Sequence, residues 1–375
     1  MEVGVGFSCA LSSREAGAGA AREACRCLEK PVLVFLFTTE DYDQEAVLEE
    51  VLSRTGASRL VGACGAGVVT PEGICRRGIA VLAVRAEGVS AATALVSLGG
   101  GDAEEAGKRL AERLLSKVPA REGAVFIFPD GFAGGITEVL SGLYDVLGPE
   151  FRYAGGGTGD NLRFMKTYQL TEEGVASSSV AAALVAGCSF GVGVGHGWRS
   201  AGPPLVITRA RGRVVYELDG QPALEVYLRR LGEVTPENFA KVGARHPLGV
   251  VDVSGRYVLR DPLKGLPGGA VEFVTEVPPS AVAYLMTTTR DELLQASRDT
   301  VAAALRSVRV PRFALVFDCV SRSLLLGNGG EEAAAFREAF GSLPFAGFLT
   351  FGEAACYDDA PLFHNKTLVV AVGGK

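Results

Sequence analysis

With 375 residues, 48% of them apolar and 21% charged, the chain can build a large core and lacks the composition of a disordered protein. At roughly 150 residues per domain it should hold two or three domains. A net charge of −6 excludes a basic nucleic-acid-binding face, which must displace counterions from phosphate.

In chain order, the N-terminus shows no basic segment leading into an apolar one, so no signal peptide is expected. Residues 32–37 (Val-Leu-Val-Phe-Leu-Phe) read as a buried strand, followed by an amphipathic helix at about 43–54. Leu-Val-Gly-Ala-Cys-Gly-Ala-Gly at 60–67 is a second strand with a glycine-rich exit, and 79–84 a third. Residues 102–117 predict a helix capped by Asp102. Strand, helix to Leu147, Tyr-Ala-Gly-Gly-Gly-Thr-Gly-Asp at 153–160 and strand then recur over 124–186. The apolar run 180–195 is broken by glycines, so it predicts a pair of strands and no membrane insertion. A linker at 201–204, a hairpin turning at Arg211-Gly212, a turn at Asp219-Gly220 and a helix opened by Pro222 follow. A long helix at about 290–307 precedes a third copy of the unit over 313–372.

The three copies share an order of strand, helix, strand, glycine-rich turn, strand. In each, the helix should return the chain so that the first two strands lie parallel, with the third antiparallel. The expected fold class is therefore α/β, mixed α+β: two domains of mixed β-sheets covered by helices, built on a thrice-recurring strand–helix–strand–strand unit. The expected division is 1–200, a hairpin linker at 201–219, and 220–375.

Chemistry concentrates in the third copy. Cys319 ends a strand, Arg322 follows in a Ser-Arg-Ser loop, Glu353 follows Gly352, and His364 and Asn365 precede the last strand. Strand ends are where α/β sheets place ligand-contacting groups. Arg322 and Glu353 could clamp the two ends of a zwitterion such as an amino acid. Asp160 follows Gly159 at the place equivalent to Glu353; with Asn161 and Cys64 from the glycine-rich exits of the first two copies, it completes the candidate ligand-binding set. Each residue also has a structural reading: Cys319 as a packed thiol, Arg322 as a loop clamp, His364 and Asn365 as turn caps. Neither Gly62–Gly67 nor the glycines around His196 complete a nucleotide motif, and three histidines with eight dispersed cysteines give no metal site, so no cofactor is expected. The unpaired cysteines suit a reducing, cytoplasmic setting.

The strings Phe-Asp-Cys-Val-Ser-Arg at 317–322, Gly-Phe-Leu-Thr-Phe-Gly-Glu at 347–353 and Leu-Phe-His-Asn-Lys-Thr at 362–367 resemble the C-terminal half of the FIST family. The strings Leu-Val-Gly-Ala-Cys at 60–64, Gly-Gly-Gly-Thr-Gly-Asp-Asn at 155–161 and Gly-Trp at 197–198 resemble its N-terminal half. At 65 and 66 this chain has Gly and Ala where the family commonly places hydroxyl residues. The resemblance implies a sensory domain for a small ligand, with amino acids the usual suggestion. Nothing resembling a kinase, cyclase or methyl-accepting segment accompanies it, so output should pass to a signalling partner or through a change of oligomer. Two alternatives stay open: a Cys-dependent amidohydrolase or acyltransferase using Cys319 and His364, and a protein-recruitment scaffold.

Overall fold

A computed structural model of the chain describes every residue except 233, 234, 236, 328, 358 and 359. It comprises two compact units, one of Met1–Gly195, Ala296–Phe363 and Leu368–Lys375, the other of His196–Gln295 and His364–Thr367. These units do not follow the linear division at 200–220: the second is an insertion, and the first resumes after it.

The first unit opens with β1 (Glu2–Ser8), α1 (Ser13–Ala24), β2 (Leu33–Thr39), α2 (Gln44–Thr55), β3 (Leu60–Gly65), the hairpin β4 (Val68–Thr70) and β5 (Gly73–Cys75), and β6 (Ile79–Arg85). The same series repeats as β7 (Ser90–Ser97), α3 (Ala103–Lys117), β8 (Gly123–Pro129), α4 (Ile136–Leu147), β9 (Phe151–Gly156), β10 (Gln169–Thr171), β11 (Gly174–Ala176) and β12 (Ser179–Ala186). A third repeat starts at β13 (Ser189–Gly195).

There the second unit intervenes. Its strands are β14 (Arg199–Ser200), β15 (Leu205–Arg211), β16 (Val214–Leu218), β17 (Gln221–Pro222), β18 (Leu248–Val251), β19 (Tyr257–Arg260), β20 (Pro262–Gly265), β21 (Val271–Phe273) and β22 (Val282–Thr287), with α5 (Ala223–Leu231) and α6 (Phe239–Gly243). They form one antiparallel sheet in the order β19-β18-β22-β15-β16-β21-β20, with β14 on β22 and β17 on β16. Tyr227 and Phe239 pack edge to face at 5.3 Å in its core. The third repeat then completes itself with α7 (Arg290–Arg306), β23 (Pro311–Cys319), α8 (Val320–Leu326), α9 (Gly330–Phe340), β24 (Phe345–Thr350), the hairpin β25 (Glu353–Ala355) and β26 (Leu362–His364), and β27 (Leu368–Gly374).

The expected pairing holds in all three repeats: β2–β3, β8–β9 and β23–β24 are parallel, and β6, β12 and β27 run antiparallel beside the first strands. The observed repeat is larger than the expected one by a leading strand (β1, β7, β13) and helix (α1, α3, α7). Each hairpin joins another repeat's sheet: β4 pairs β24, β10 pairs β3, and β25 pairs β9. The exchange closes on itself, giving three six-stranded sheets.

Two backbone approaches explain the glycines. A Cβ on Gly62, Gly155 or Gly347 would lie 2.6, 2.0 or 1.8 Å from the carbonyl oxygen of Leu36, Ile127 or Val316 on the neighbouring parallel strand. The alternating glycines of β13 admit α7, because a Cβ at Gly191 or Gly193 would meet the carbonyls of Ala304 or Thr300 at 2.2 and 2.1 Å. Between the sheets, Phe37, Phe128 and Phe317, one from the same position of each first strand, form an edge-to-face triangle with centroids 6.0, 6.2 and 5.7 Å apart.

Candidate functional site

The register of the parallel pairs makes the three strand exits comparable. Thr39 faces Gly65, Asp130 faces Thr158, and Cys319 faces Thr350. Each first strand therefore ends on a polar residue beside the glycine-rich exit of the second.

At the third exit, Arg322 lies in α8 and not in a loop. Its guanidinium is fully buried, with Nε donating to Asp318 Oδ1 at 2.9 Å and Nη2 to Glu332 Oε1 at 2.9 Å and Ser297 Oγ at 2.8 Å. Burial opposes the Arg322 charge, yet the carboxyls of Glu332 and Asp318 more than offset it and raise its pKa. Asp318 is held well above the usual carboxylate range by burial and then by the Glu332 charge, against the pull of Arg322. Cys319 is nearly buried, its sulfur 3.1 Å from Ser321 Oγ. Glu353 is fully buried and accepts from Thr350 Oγ1 at 2.5 Å. Arg322 is thus engaged with two carboxyls of its own repeat, and Glu353 with the strand before it.

His364 and Asn365 belong to the second unit. There Thr275 Oγ1 donates to Asn365 Oδ1 at 2.7 Å, and Asn365 Nδ2 donates to the His364 carbonyl at 3.1 Å. Lys366, 1% exposed, pairs with Asp261 at 2.9 Å. Burial raises the Asp261 pKa despite that cation. At the first exit, Cys64 is fully buried, and burial pushes its thiol far up against a hydrogen bond from Thr38.

The second exit is different. Asp160 is fully buried, and its carboxylate accepts the backbone amides of Arg163 and Phe164 on Oδ1 at 2.8 and 3.0 Å, and of Met165 and Lys166 on Oδ2 at 2.7 and 3.3 Å. Those four bonds fix a loop in which Leu162 and Phe164 adopt left-handed φ of 64° and 56°, uncommon for bulky side chains. Asn161 tethers the same loop, donating to Asp41 Oδ2 at 3.1 Å. Beside it opens a cleft of about 450 Å³ lined by Asp130, Phe132, Phe164, Met165, Lys166 and Thr167, with further hydroxyls from Ser177 and Ser178. Phe132 and Phe164, on one wall, pack with the Phe351 ring behind them at 5.2–5.7 Å. A carboxylate, several hydroxyls and aromatic side chains therefore line a concave site of the size that takes small molecules, with Lys166 on its rim, the ammonium 4.6 Å over the Tyr168 ring.

Of the residues named from sequence, Asp160 and Asn161 support this cleft; Cys64, Cys319 and Arg322 are buried at the other two exits, and Glu353 is buried on β25 opposite Gly156 of β9. Sequence reasoning missed Asp130 and Lys166. A signal for Asp130 existed: it follows the second copy's first strand, the position that Cys319 holds in the third. Among the described residues, no group of acidic, Cys and His side chains could hold a metal ion, and no helix is long and apolar enough to cross a membrane.

Several known proteins are similar to this chain. Uncharacterized protein MJ1623 of Methanocaldococcus jannaschii is 30% identical over 181 residues, 42% of this chain and 35% of that protein, so the chain spans about a third of that relative's length. Uncharacterized protein Mb0898c of Mycobacterium bovis is 25% identical over 390 residues, 99% of this chain and 98% of that protein. The crystal structure of cyanuric acid hydrolase from A. caulinodans aligns over 99% of both chains with 9% identity and a TM-score of 0.37, too low to assign shared chemistry. The FIST N domain matches residues 32–221 and the FIST C domain residues 223–356. The chain therefore belongs to the FIST family of sensory and signal-transduction domains.

Proposed function

We propose that this protein is a small-ligand sensor whose ligand is an amino acid or similar zwitterion, held in the cleft at the second strand exit. The carrying observation is that Asp130 and Lys166 line one cleft and neither forms an ion pair among the described residues. Among the described residues Asp130 Oδ1 accepts the Phe132 amide alone, at 2.9 Å, leaving capacity for an ammonium group. Lys166 supplies the charge for a carboxylate, and Phe132 and Phe164 offer faces to an apolar side chain. The clamp expected from Arg322 and Glu353 is here carried by a different pair, because Arg322 is neutralised within its own repeat. No catalytic nucleophile is invoked in this reading.

The test is a thermal-shift panel of the common amino acids. A ligand at ~100 times its dissociation constant stabilises by ~2.7 kcal/mol, and Asp130→Asn and Lys166→Gln should each remove that shift while keeping the melting temperature of the free protein. A panel in which no amino acid moves the wild-type melt would overturn the assignment.

A further inference from the structure

Phe164 and Met165 are 61% and 81% exposed, and they are the one consecutive pair among the large apolar side chains that the described residues leave in solvent. They are not loose. Their amides are bonded to the buried Asp160 carboxylate, and the Phe164 ring packs on Phe351 at 5.7 Å and Phe132 at 5.4 Å. The backbone that presents them is in the left-handed region at Leu162 and Phe164. A fold that fixes the backbone beneath exposed apolar side chains, in a strained conformation, presents a preorganised anchor whose backbone loses little entropy on docking.

The complement of that anchor lies on the same face. Across the cleft that Phe164 and Met165 themselves rim, Phe132 and Ala133 give apolar wall and Asp130 gives an acid. Lys166 stands beside the anchor, its ammonium 4.6 Å above the Tyr168 ring and outside any ion pair among the described residues. Phe164, Met165 and Lys166 form one rim of that cleft, so a two-fold axis beside it lays each copy's rim over the other's cleft, and does so twice. We propose that this face docks a second copy of the chain, with Phe164 and Met165 closing the cleft of the other copy and Lys166 meeting the partner's Asp130. The occupant is a second copy because both halves of the complementarity, apolar knob with cation and apolar cleft with anion, are present on one chain.

The inference rests on the cleft assigned above as the ligand site. Asp130 and Lys166 serve either the zwitterion or the second copy, so the two compete. Ligand drives dimer to monomer, and by linkage dimerisation weakens ligand binding by the same factor.

Sedimentation equilibrium of the full chain tests this. Wild type should associate reversibly into dimers. Met165→Asp should weaken association by at least ~30-fold, as for a hot-spot anchor, and Lys166→Glu by at least ~10-fold through repulsion across the axis. Leu11→Asp, at a leucine 80% exposed elsewhere, should leave the dimer constant unchanged. Should Met165→Asp fail to fold, Met165→Gln reads the same interface. A monomeric wild type at ~100 µM, or a Met165→Asp dimer of wild-type affinity, overturns the proposal. The amino-acid melts are a separate readout on the same protein: a dimer that no amino acid stabilises or dissociates defeats the ligand reading alone, and a monomer that amino acids still stabilise defeats the dimer alone.

Discussion

Asp318, Arg322 and Glu332 bring one guanidinium and two carboxyls together at zero exposure, and two buried carboxylates cannot both stay ionised on one cation without large cost. Burial and then the Glu332 charge raise the Asp318 pKa, which makes Asp318 the residue to test. A folded-state value above the unfolded one gives stability that is complete below about pH 4, the unfolded value, and lost as pH rises toward the folded value. Asp318→Asn keeps an acceptor for Arg322 Nε and imitates the neutral acid. Urea melts from pH 5 to 9 should therefore show the variant gaining on wild type as pH rises; a gap that stays constant with pH would show that Asp318 is already ionised in the fold. The density of polar groups at 318–322 was legible in the sequence. Their partners were not, because Ser297 and Glu332 arrive from other helices and no local spacing announces them.

Elements were legible in proportion to the apolar surface they bury. The helices at α2, α3, α4, α7 and α9 carry Val, Leu or Phe at helical spacing, and Asp102 caps α3 as expected, accepting from the Glu104 amide. The helix α1 escaped notice because its buried face is Ala16, Gly17, Ala18, Ala20, Ala21 and Ala24, small residues that leave no apolar period. They are small because β1 lies against them: a Cβ on Gly4 or Gly6 would meet the carbonyls of Ala24 or Ala20 at 1.8 and 2.0 Å. The helix α8 is seven residues long, too short for a pattern. The glycine of the second strand was legible in every repeat, and its role is steric. Gly347→Ala drives a methyl into the Val316 carbonyl and should destabilise by about 3 kcal/mol, the upper end for over-packing. Gly56→Ala, where nothing lies within 4 Å, is the control whose cost comes from its left-handed φ of 60° alone. Equal losses in denaturant melts would refute the steric account.

At the scale of the molecule, the triplication showed through because β2, β8 and β23 each keep an uninterrupted apolar run. The insertion of the second unit between β13 and α7 did not, since a chain that leaves a fold and returns carries no mark of it in local composition. Nor did the exchange of hairpins, whose strands are three residues long. Because each sheet borrows strands from another repeat, the first unit should open as a whole. Native-state hydrogen exchange should find the amides of β2, β8 and β23 sharing one opening free energy with one dependence on denaturant. A repeat whose first strand exchanges markedly earlier would show that the three are separable.

The order of synthesis gives the hairpin exchange a cost in time. The strands β10 and β25 emerge from the ribosome after the strands they pair with, β3 and β9, so their partners are already made. The hairpin β4–β5 is the exception, since its partner β24 is among the last elements made. Throughout translation of the second repeat and the inserted unit, Val68 and Val69, fully buried in the finished protein, wait on an open strand edge able to pair with another nascent chain. Of the three joints in the ring, the one that closes it is left to the end of the chain, and until then the first repeat is the part of the protein most in need of a chaperone.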